Sequence, residues 1–339
     1  MAGLLSRHFF ADRLTGPLPG PLQFFRLWRE GGFAGATDGV SRIPVALGAP
    51  LPPSGDWLAW LGHASFLLRL GGLTVAVDPV LSARILGAGQ RFTPPGLERL
   101  PPLDLLLISH NHYDHLDAPT LRPLARKTPV VVPRGLGLWF RRRGFTDVTE
   151  LDWWESVQVG ALEVTFVPAH HWSRRGLFDH CATLWGGFVV TVAGGLRVYH
   201  AGDSAYGPFF ASIGSRCPGI DVAMLPIGAY APRWFMRTMH MDPEEAVRAV
   251  CDVGARVMVP MHWGTFWPSR EPALEPNEPA PPGLPRAGIA EICGISRYGK
   301  AARSNTPACF LPDRTSAERS FRRSCIYLEI ATYRDTCIR

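Results

Sequence analysis

The chain has 339 residues, of which 46% are hydrophobic, and it carries a net charge of +6 at neutral pH. This length and apolar share predict a folded protein with a sizeable core and exclude a wholly disordered chain. Residues 287–339 hold nine Arg or Lys against five Asp or Glu, so the rest of the chain is nearly neutral and we expect no nucleic-acid partner.

The cysteine pattern and the short apolar runs indicate the cellular compartment in which we expect the protein. Seven widely spaced cysteines form no CxxC pair, which argues against a disulfide framework and a thiolate zinc site and fits a reducing, cytoplasmic location. Charged residues interrupt the first 13 positions and no run of 18 apolar residues follows, so we expect neither a signal peptide nor a spanning helix.

Residues 1–55 form an N-terminal extension that is rich in Pro, Gly and aromatic residues. A short helix is predicted near Gln23 to Arg29. Its apolar residues either cover the core or contact a membrane surface, and covering is the commoner fate of such extensions. Peripheral membrane contact therefore stays open.

Residues 56–267 form the main domain, in which many strands come first and strands then alternate with helices. Trp57–Leu70 and Leu73–Asp78, split by two glycines, predict a hairpin. Further strands are predicted at 103–109, 129–133, 148–151, 156–159, 162–168, 183–192, 196–200, 221–227 and 256–261. Helices are predicted at 117–127, 134–143 and 242–253, the last with an Asp N-cap, a Pro at the first position and Gly254 as terminator. Two face-to-face sheets covered by helices would accommodate this order.

Residues 268–339 form a C-terminal segment without clean periodicity from about residue 287. Four of the seven cysteines lie there, together with many Arg and Ser. We interpret this stretch as poorly ordered, or as the product of a shifted reading frame.

The strongest chemical signal lies directly after the apolar run 105–108. Four candidate metal ligands, His110, His112, Asp114 and His115, lie within six residues. Imidazole and carboxylate groups at this spacing are the donors that zinc and similar metals take. Four further stretches place a His or Asp at or near a strand end, namely those with His63, with His170 and His171, with Asp203 and with His262.

These stretches together resemble the metallo-β-lactamase superfamily, whose His-x-His-x-Asp-His motif matches residues 110–115. The chain is most similar to the N-acylphosphatidylethanolamine-hydrolysing phospholipase D branch and its bacterial relatives. The similarity is carried by residues 60–64, 109–117, 150–155, 225–230, 240–246 and 261–266. The fold that this resemblance implies is mixed α/β, a four-layer αββα sandwich with the metals at one edge.

The resemblance also implies a ligand set for two divalent metal ions. His110, His112 and His171 would bind one metal, Asp114, His115 and His262 the second, and Asp203 both. His170 stands where Gln is usual, and we assign the ligand role to His171 because it keeps the spacing to Trp172. Zinc is expected, and Fe or Mn would tolerate the same donors.

The implied activity is a phosphodiesterase of the phospholipase D type, in which a metal-bridging hydroxide attacks phosphorus in a small-molecule or lipid substrate. Asp114 and His240 are expected to be catalytic, although His240 could equally make a local bond at a helix N-terminus. His63 and His170 are expected beside the ligands, with Tyr230 and Trp234 along a substrate groove. A lactonase or other carboxylic ester hydrolase is the first alternative, and a nuclease or a non-catalytic metal-binding protein is less favoured.

Overall fold

The computed structural model describes residues 10–32, 51–86, 89–91, 97–266, 270–272 and 327–329. The interpretation of residues 268–339 lies outside the described residues, except for 270–272 and 327–329. Among the described elements, no helix has both the length and the apolar character that a bilayer crossing would need.

The first sheet has seven strands in the order β15-β1-β2-β3-β6-β7-β8. Its members are β1 (Trp57–Gly62), β2 (Ser65–Leu70), β3 (Leu73–Val77), β6 (Leu105–Leu107), β7 (Val130–Pro133), β8 (Val148–Leu151) and β15 (Tyr327–Glu329). Strands β15, β1, β2 and β3 run antiparallel, whereas β3, β6, β7 and β8 run parallel to one another. A separate two-stranded ribbon joins β4 (Arg84–Ile85) to β5 (Gly89–Gln90).

The second sheet has six strands in the order β14-β13-β12-β11-β10-β9. Its members are β9 (Ser156–Val159), β10 (Leu162–Val167), β11 (Gly187–Val192), β12 (Arg197–His200), β13 (Val222–Pro226) and β14 (Val257–Met261). The strands β9 to β12 pair antiparallel, and β12, β13 and β14 pair parallel.

The main core lies between the two sheets. Phe66 and Leu68 of β2 pack there in one cluster with Phe166 of β10 and Phe188 of β11. The opposite face of the first sheet is covered by Leu121 and by residues of α3 (Gly137–Arg141). The second sheet is covered by α4 (Phe209–Arg216) and α6 (Pro243–Val253), whose apolar faces join the main core. The predicted four-layer αββα sandwich is therefore confirmed.

Helix α6 forms as its sequence predicts. The Asp242 carboxylate accepts a hydrogen bond of 2.9 Å from the Glu245 amide, and Gly254 ends the helix in the left-handed conformation. The remaining helices are α1 (Pro21–Arg29), α2 (Ala118–Leu121) and α5 (Arg233–Met236).

Several predicted elements are wrong in extent. The helix expected over 134–143 is the shorter α3, and the strands expected over 103–109 and 183–192 are the shorter β6 and β11. The helix expected over 117–127 is the single turn α2, because Pro123 cannot continue the hydrogen-bond ladder and Asp117 accepts from Ser82 and Thr120 instead of capping the helix. The stretch 57–70 is two strands, which separate at a turn that contains His63.

The directions of the strands bring the candidate functional residues to one edge of the sandwich. Because β3 and β6 run parallel in one sheet, and β12, β13 and β14 in the other, the segments that follow each set leave at a common edge. Those segments contain Asp78, His110, Asp203 and His262.

Candidate metal centre

The segment that follows β6 supplies the first donors. His110 is buried, and its Nε2 lies 2.9 Å from Nδ1 of His112. The Ser109 hydroxyl lies 2.9 Å from the other ring nitrogen of His110. The two imidazoles therefore meet at one point, and the Ser109 hydroxyl fixes the orientation of the His110 ring.

His171 reaches the same point from the end of β10. Its Nδ1 donates a hydrogen bond of 3.0 Å to the Met239 carbonyl. That bond leaves Nε2 directed at the site, 3.2 Å from Nδ1 of His112 and 3.7 Å from Oδ2 of Asp203. His110, His112, His171 and Asp203 thus form one group whose donor atoms all lie within 4.8 Å of one another.

A second group combines His63, Asp114, His115 and His262, again with donor atoms within 4.8 Å. Oδ2 of Asp114 lies 2.9 Å from Nε2 of His63, 3.7 Å from Nε2 of His262 and 4.0 Å from Nε2 of His115. Asp114 is therefore the shared neighbour of the histidines in this half of the site.

Asp203 lies between the two groups. Its Oδ2 is 3.1 Å from Nε2 of His115 and 3.2 Å from Nε2 of His262, and it is 3.9 Å from Nε2 of His110. Gly202 makes this placement feasible: it adopts a φ of +62°, and a Cβ there would stand 2.5 Å from the Gly186 carbonyl. A carboxylate in this position is suited to bridging two cations.

The donor atoms fit divalent metals. Several polar atoms of these residues are buried without a hydrogen-bond partner among the described residues: Nε2 of His112, Nε2 of His115, Oδ1 of Asp203 and both ring nitrogens of His262. Of these atoms, Nε2 of His115 and Nε2 of His262 face the Asp203 carboxylate. Buried polar atoms are normally paired, so this concentration of unpaired ones indicates a missing partner. Nitrogen and oxygen donors of this kind suit zinc, iron or manganese.

The pKa shifts describe how the chain holds its charges without a metal. Burial lowers the pKa of His63 and of His112 to about 4, which keeps both rings neutral. Burial also opposes charge on His262, but the carboxylates of Asp203 and Asp114 outweigh it and raise the pKa of His262 to about 9.

His115 has its pKa raised well above the usual value by the same two carboxylates, against the effect of burial. Burial would raise the carboxylate pKa values of Asp114 and Asp203, yet the neighbouring histidines hold both well below their usual range. Two protonated imidazoles therefore balance two carboxylates, and metal cations would take the place of those protons.

Asp78 is a site residue that the sequence analysis missed. It follows β3, is fully buried, and accepts hydrogen bonds from the Ser109 amide at 2.7 Å, the Ser109 hydroxyl, and Nδ1 of His115 at 2.8 Å. The last bond directs Nε2 of His115 into the site. A lone aspartate has no spacing signal, and the one sequence feature that Asp78 offers is its position as the last residue of the predicted strand stretch Leu73–Asp78.

Backbone conformation also marks this edge of the sandwich. His63, Asp78 and His262 all have positive φ values, 55°, 43° and 62°. Such a conformation costs a non-glycine residue roughly 1–2 kcal/mol, and it concentrates at functional sites. His200 adds rigidity, since its ring bonds the Ala64 carbonyl at 2.9 Å and accepts the Gly202 amide at 3.1 Å.

The other predicted site residues take different places. The His240 ring lies against His171 and His262, with centroid distances of 5.2 and 5.1 Å, and burial lowers its pKa to about 3. Among the described residues, His240 forms a third candidate donor group with Asp203 and His262, whereas His170 belongs to none of the three groups and faces Gly16 of the N-terminal extension. Trp234 stacks under Arg26 of α1 at 4.1 Å. Tyr230 is buried in the segment that follows β13.

Comparisons with known proteins identify related sequences. Residues 74–263 match the family model described as "Beta-lactamase superfamily domain". The chain is 39% identical over 245 residues to N-acyl-phosphatidylethanolamine-hydrolyzing phospholipase D 1 of Caenorhabditis elegans, a match that covers 66% of this chain and 68% of that protein. It is 36% identical over 220 residues to a metal-dependent hydrolase of Rubrobacter xylanophilus, covering 62% of this chain and 83% of that one.

A solved structure shares the fold. The crystal structure of a possible metal-dependent hydrolase from Veillonella parvula superposes with a TM-score of 0.52 at 16% identity, over 63% of this chain and 87% of that one. Such a low identity carries information on the architecture alone.

Proposed function

We propose that this chain, which belongs to the beta-lactamase superfamily of metal-dependent hydrolases, cleaves the phosphodiester bonds of phospholipids with two divalent metal ions, of which zinc is our first choice. The observation that carries the proposal is the pair of buried donor groups that Asp203 joins. A single metal would leave half of these donors unused in a buried place, where unpaired polar atoms are costly.

One ion would be held by His110, His112 and His171, and the other by Asp114, His115 and His262, with Asp203 shared between them. When bound, the ions would supply Lewis acidity and lower the pKa of water in the site towards ~7. The same donors accept Fe or Mn, so the identity of the metal belongs to the proposal.

The protein residues around the ligands hold their geometry. Asp78 fixes the tautomer of His115, and the Met239 carbonyl does the same for His171. His63 holds the Asp114 carboxylate at 2.9 Å. Such outer contacts typically matter 10–100-fold for metal affinity or activity.

His240 stands next to the donors of both groups. Its Nδ1 is buried without a hydrogen-bond partner among the described residues, and its low pKa keeps the ring neutral. A neutral imidazole donates one hydrogen bond and accepts another, so we assign His240 to donating a hydrogen bond to a phosphoryl oxygen. It would not arrive as a ready-protonated general acid.

The substrate class comes from similarity. The C. elegans relative is named for hydrolysing N-acyl-phosphatidylethanolamine. An identity of 39% supports a phosphodiester substrate for this chain and leaves its headgroup and acyl chains to be tested.

The proposal can be tested with purified, metal-loaded protein. We expect turnover of bis-p-nitrophenyl phosphate that disappears on chelation and returns when zinc or manganese is added. Simple lactones and p-nitrophenyl acetate serve as the competing substrates, and Asp203→Ala serves as the inactive control. Metal-dependent lactone or ester turnover without phosphodiester cleavage would overturn the phosphodiesterase proposal and favour the carboxylic ester alternative.

A further inference from the structure

Most of the apolar side chains of helix α1 are exposed to solvent, which is unusual for a helix on a protein surface. Only Leu27 is buried, whereas Leu22, Phe25 and Trp28 have 83%, 58% and 72% of their surface exposed. The spacing of three residues places these exposed side chains along one side of the helix. A surface helix normally turns its polar face outward, so an outward apolar face indicates a partner that is itself apolar.

The helix is nevertheless firmly attached to the domain. Leu27 packs in a cluster with Phe235 and Met239, and Phe24 meets the Phe235 ring edge-on at 5.0 Å. The Arg270 guanidinium donates to the Glu30 carbonyl at 2.8 Å, just after the helix. The outward apolar face therefore has a defined orientation.

A second exposed apolar pair lies on the loop between His171 and β11. Leu177 and Phe178 have 78% and 81% of their surface exposed. The loop is anchored on the metal motif, since the Tyr113 hydroxyl donates to the Arg175 carbonyl at 2.9 Å and the Arg175 guanidinium donates to the Asn111 carbonyl at 3.1 Å. The loop tip is thus held beside the metal-binding donors.

Trp172 connects the two patches to the site. It packs against the Leu27 cluster, lies 5.6 Å from the His180 ring of the loop, and lies 4.8 Å from the ring of His112. Helix α1 and the loop therefore border the same side of the candidate metal centre, next to the His110–His112–His171 group.

The charges next to both patches are mainly basic. Arg26 is paired with Glu30 at 2.8 Å and the Arg175 guanidinium is directed at the Asn111 carbonyl, so the exposed Arg29 of α1 and Arg174 of the loop are the groups that can meet phosphate. Exposed Trp, Phe and Leu flanked by Arg are the combination that inserts into the interface of an anionic bilayer, because the rings enter the headgroup boundary and the guanidinium groups meet phosphate.

We infer that the outward face of α1 and the Leu177–Phe178 loop tip form a rim that docks on the surface of an anionic phospholipid bilayer, with the metal centre opening beside it. This inference deepens the proposed function, since docking would bring bilayer phosphodiesters to the site. Vesicle binding itself requires no turnover, so the two can fail separately.

The test is sedimentation of the full-length, metal-loaded protein with vesicles of phosphatidylcholine alone or mixed equally with phosphatidylglycerol. We expect binding to the mixed vesicles only, and a loss of at least about tenfold in the partition coefficient for Phe25→Ser/Trp28→Ser and for Leu177→Ser/Phe178→Ser. Leu86→Ser is the matched control, because Leu86 is an exposed leucine (71%) outside both patches and should leave binding unchanged. Thermal unfolding midpoints verify that each variant is folded.

Three results would overturn the inference. They are absence of vesicle binding by the parent protein, equal loss of binding in the Leu86→Ser control, and size-exclusion data in which the double variants turn an oligomer into a monomer without changing vesicle binding. The last would assign the rim to a second copy of the chain. Failure of the proposed function would be seen separately, as absent cleavage of bis-p-nitrophenyl phosphate without vesicles.

Discussion

Substitution of Asp78 tests whether hydrogen bonds that orient a candidate metal ligand, here His115, determine the affinity for the metal. This carboxylate accepts three hydrogen bonds while it is fully buried, and one of them comes from Nδ1 of His115. In Asp78→Asn the amide NH₂ would face a donor, either Nδ1–H of His115 or a group of Ser109. The His115 ring would then be driven towards the tautomer whose Nε2 carries a hydrogen and cannot bind a metal.

The expected magnitude follows from these contacts. Loss of an outer-shell partner typically weakens metal binding 10–100-fold, which corresponds to about 1.4–2.7 kcal/mol. A buried donor left without an acceptor costs a further ~1–3 kcal/mol of folding stability, and the Ser109 hydroxyl can rotate to limit that loss. We therefore expect Asp78→Asn to lower both zinc affinity and the free energy of unfolding.

The assay is competition for zinc with a chromophoric chelator, combined with thermal unfolding of the metal-free protein. Asp117→Asn is the matched control, because Asp117 is also buried and accepts from Ser82 and Thr120 but contacts no candidate ligand. It should lose stability and keep its zinc affinity. Wild-type zinc affinity in Asp78→Asn, or an equal loss in Asp117→Asn, would refute the reasoning.

Two further predictions concern the same centre. In His63→Asn, the asparagine tolerates the left-handed backbone of this position but is too short to hold the Asp114 carboxylate. We expect kcat/KM to fall roughly 10–100-fold with the unfolding midpoint little changed. Unchanged kinetics would contradict this role of His63. Metal loading should decline from about pH 8 to about pH 5, because protons compete with the metal for the imidazoles and the pKa of His262 is already raised to about 9 in the metal-free chain. Titration calorimetry in two buffers of different ionisation enthalpy should show that zinc binding releases protons near pH 7. Absence of proton release would contradict the balance of two protonated imidazoles against two carboxylates.

Candidate metal ligands could be predicted from the sequence when they lie at or near the end of a predicted strand. His110, His112, Asp114 and His115 form a local pattern, and the superfamily resemblance added His171, Asp203 and His262. The structure brings all seven together and leaves His170 outside the donor groups. Asp78 and His200 were missed because each acts by holding neighbouring residues in place and belongs to no motif.

The fold was predicted well where local signals and packing agree. Helix α6 has its caps in the sequence, and β8 and β9 begin and end as expected. Helix α4 was not predicted, because Gly214 weakens the helical propensity of this segment by ~1 kcal/mol. A Cβ at that position would stand 2.7 Å from the carbonyl oxygens of Asp252 and Val253, so close packing against the end of α6 requires the glycine. Such a requirement is invisible until both helices are in place.

The orientation of α1 was the open question of the N-terminal extension. The sequence allowed its apolar residues either to cover the core or to face a membrane. The structure shows that Leu27 packs inward while Leu22, Phe25 and Trp28 are exposed. Membrane contact of the exposed residues stays a prediction. The side of a nine-residue helix that turns inward depends on the surface on which it docks, which local periodicity does not specify.

The central claim is that two metal ions share Asp203, and elemental analysis of the purified protein tests it most directly. Mass-spectrometric metal analysis should return about two divalent ions per chain for the parent protein. Asp203→Ala should hold one ion or fewer while its circular dichroism spectrum stays that of the folded chain. An active parent protein without metal, or an Asp203→Ala variant that keeps both ions, would contradict the account.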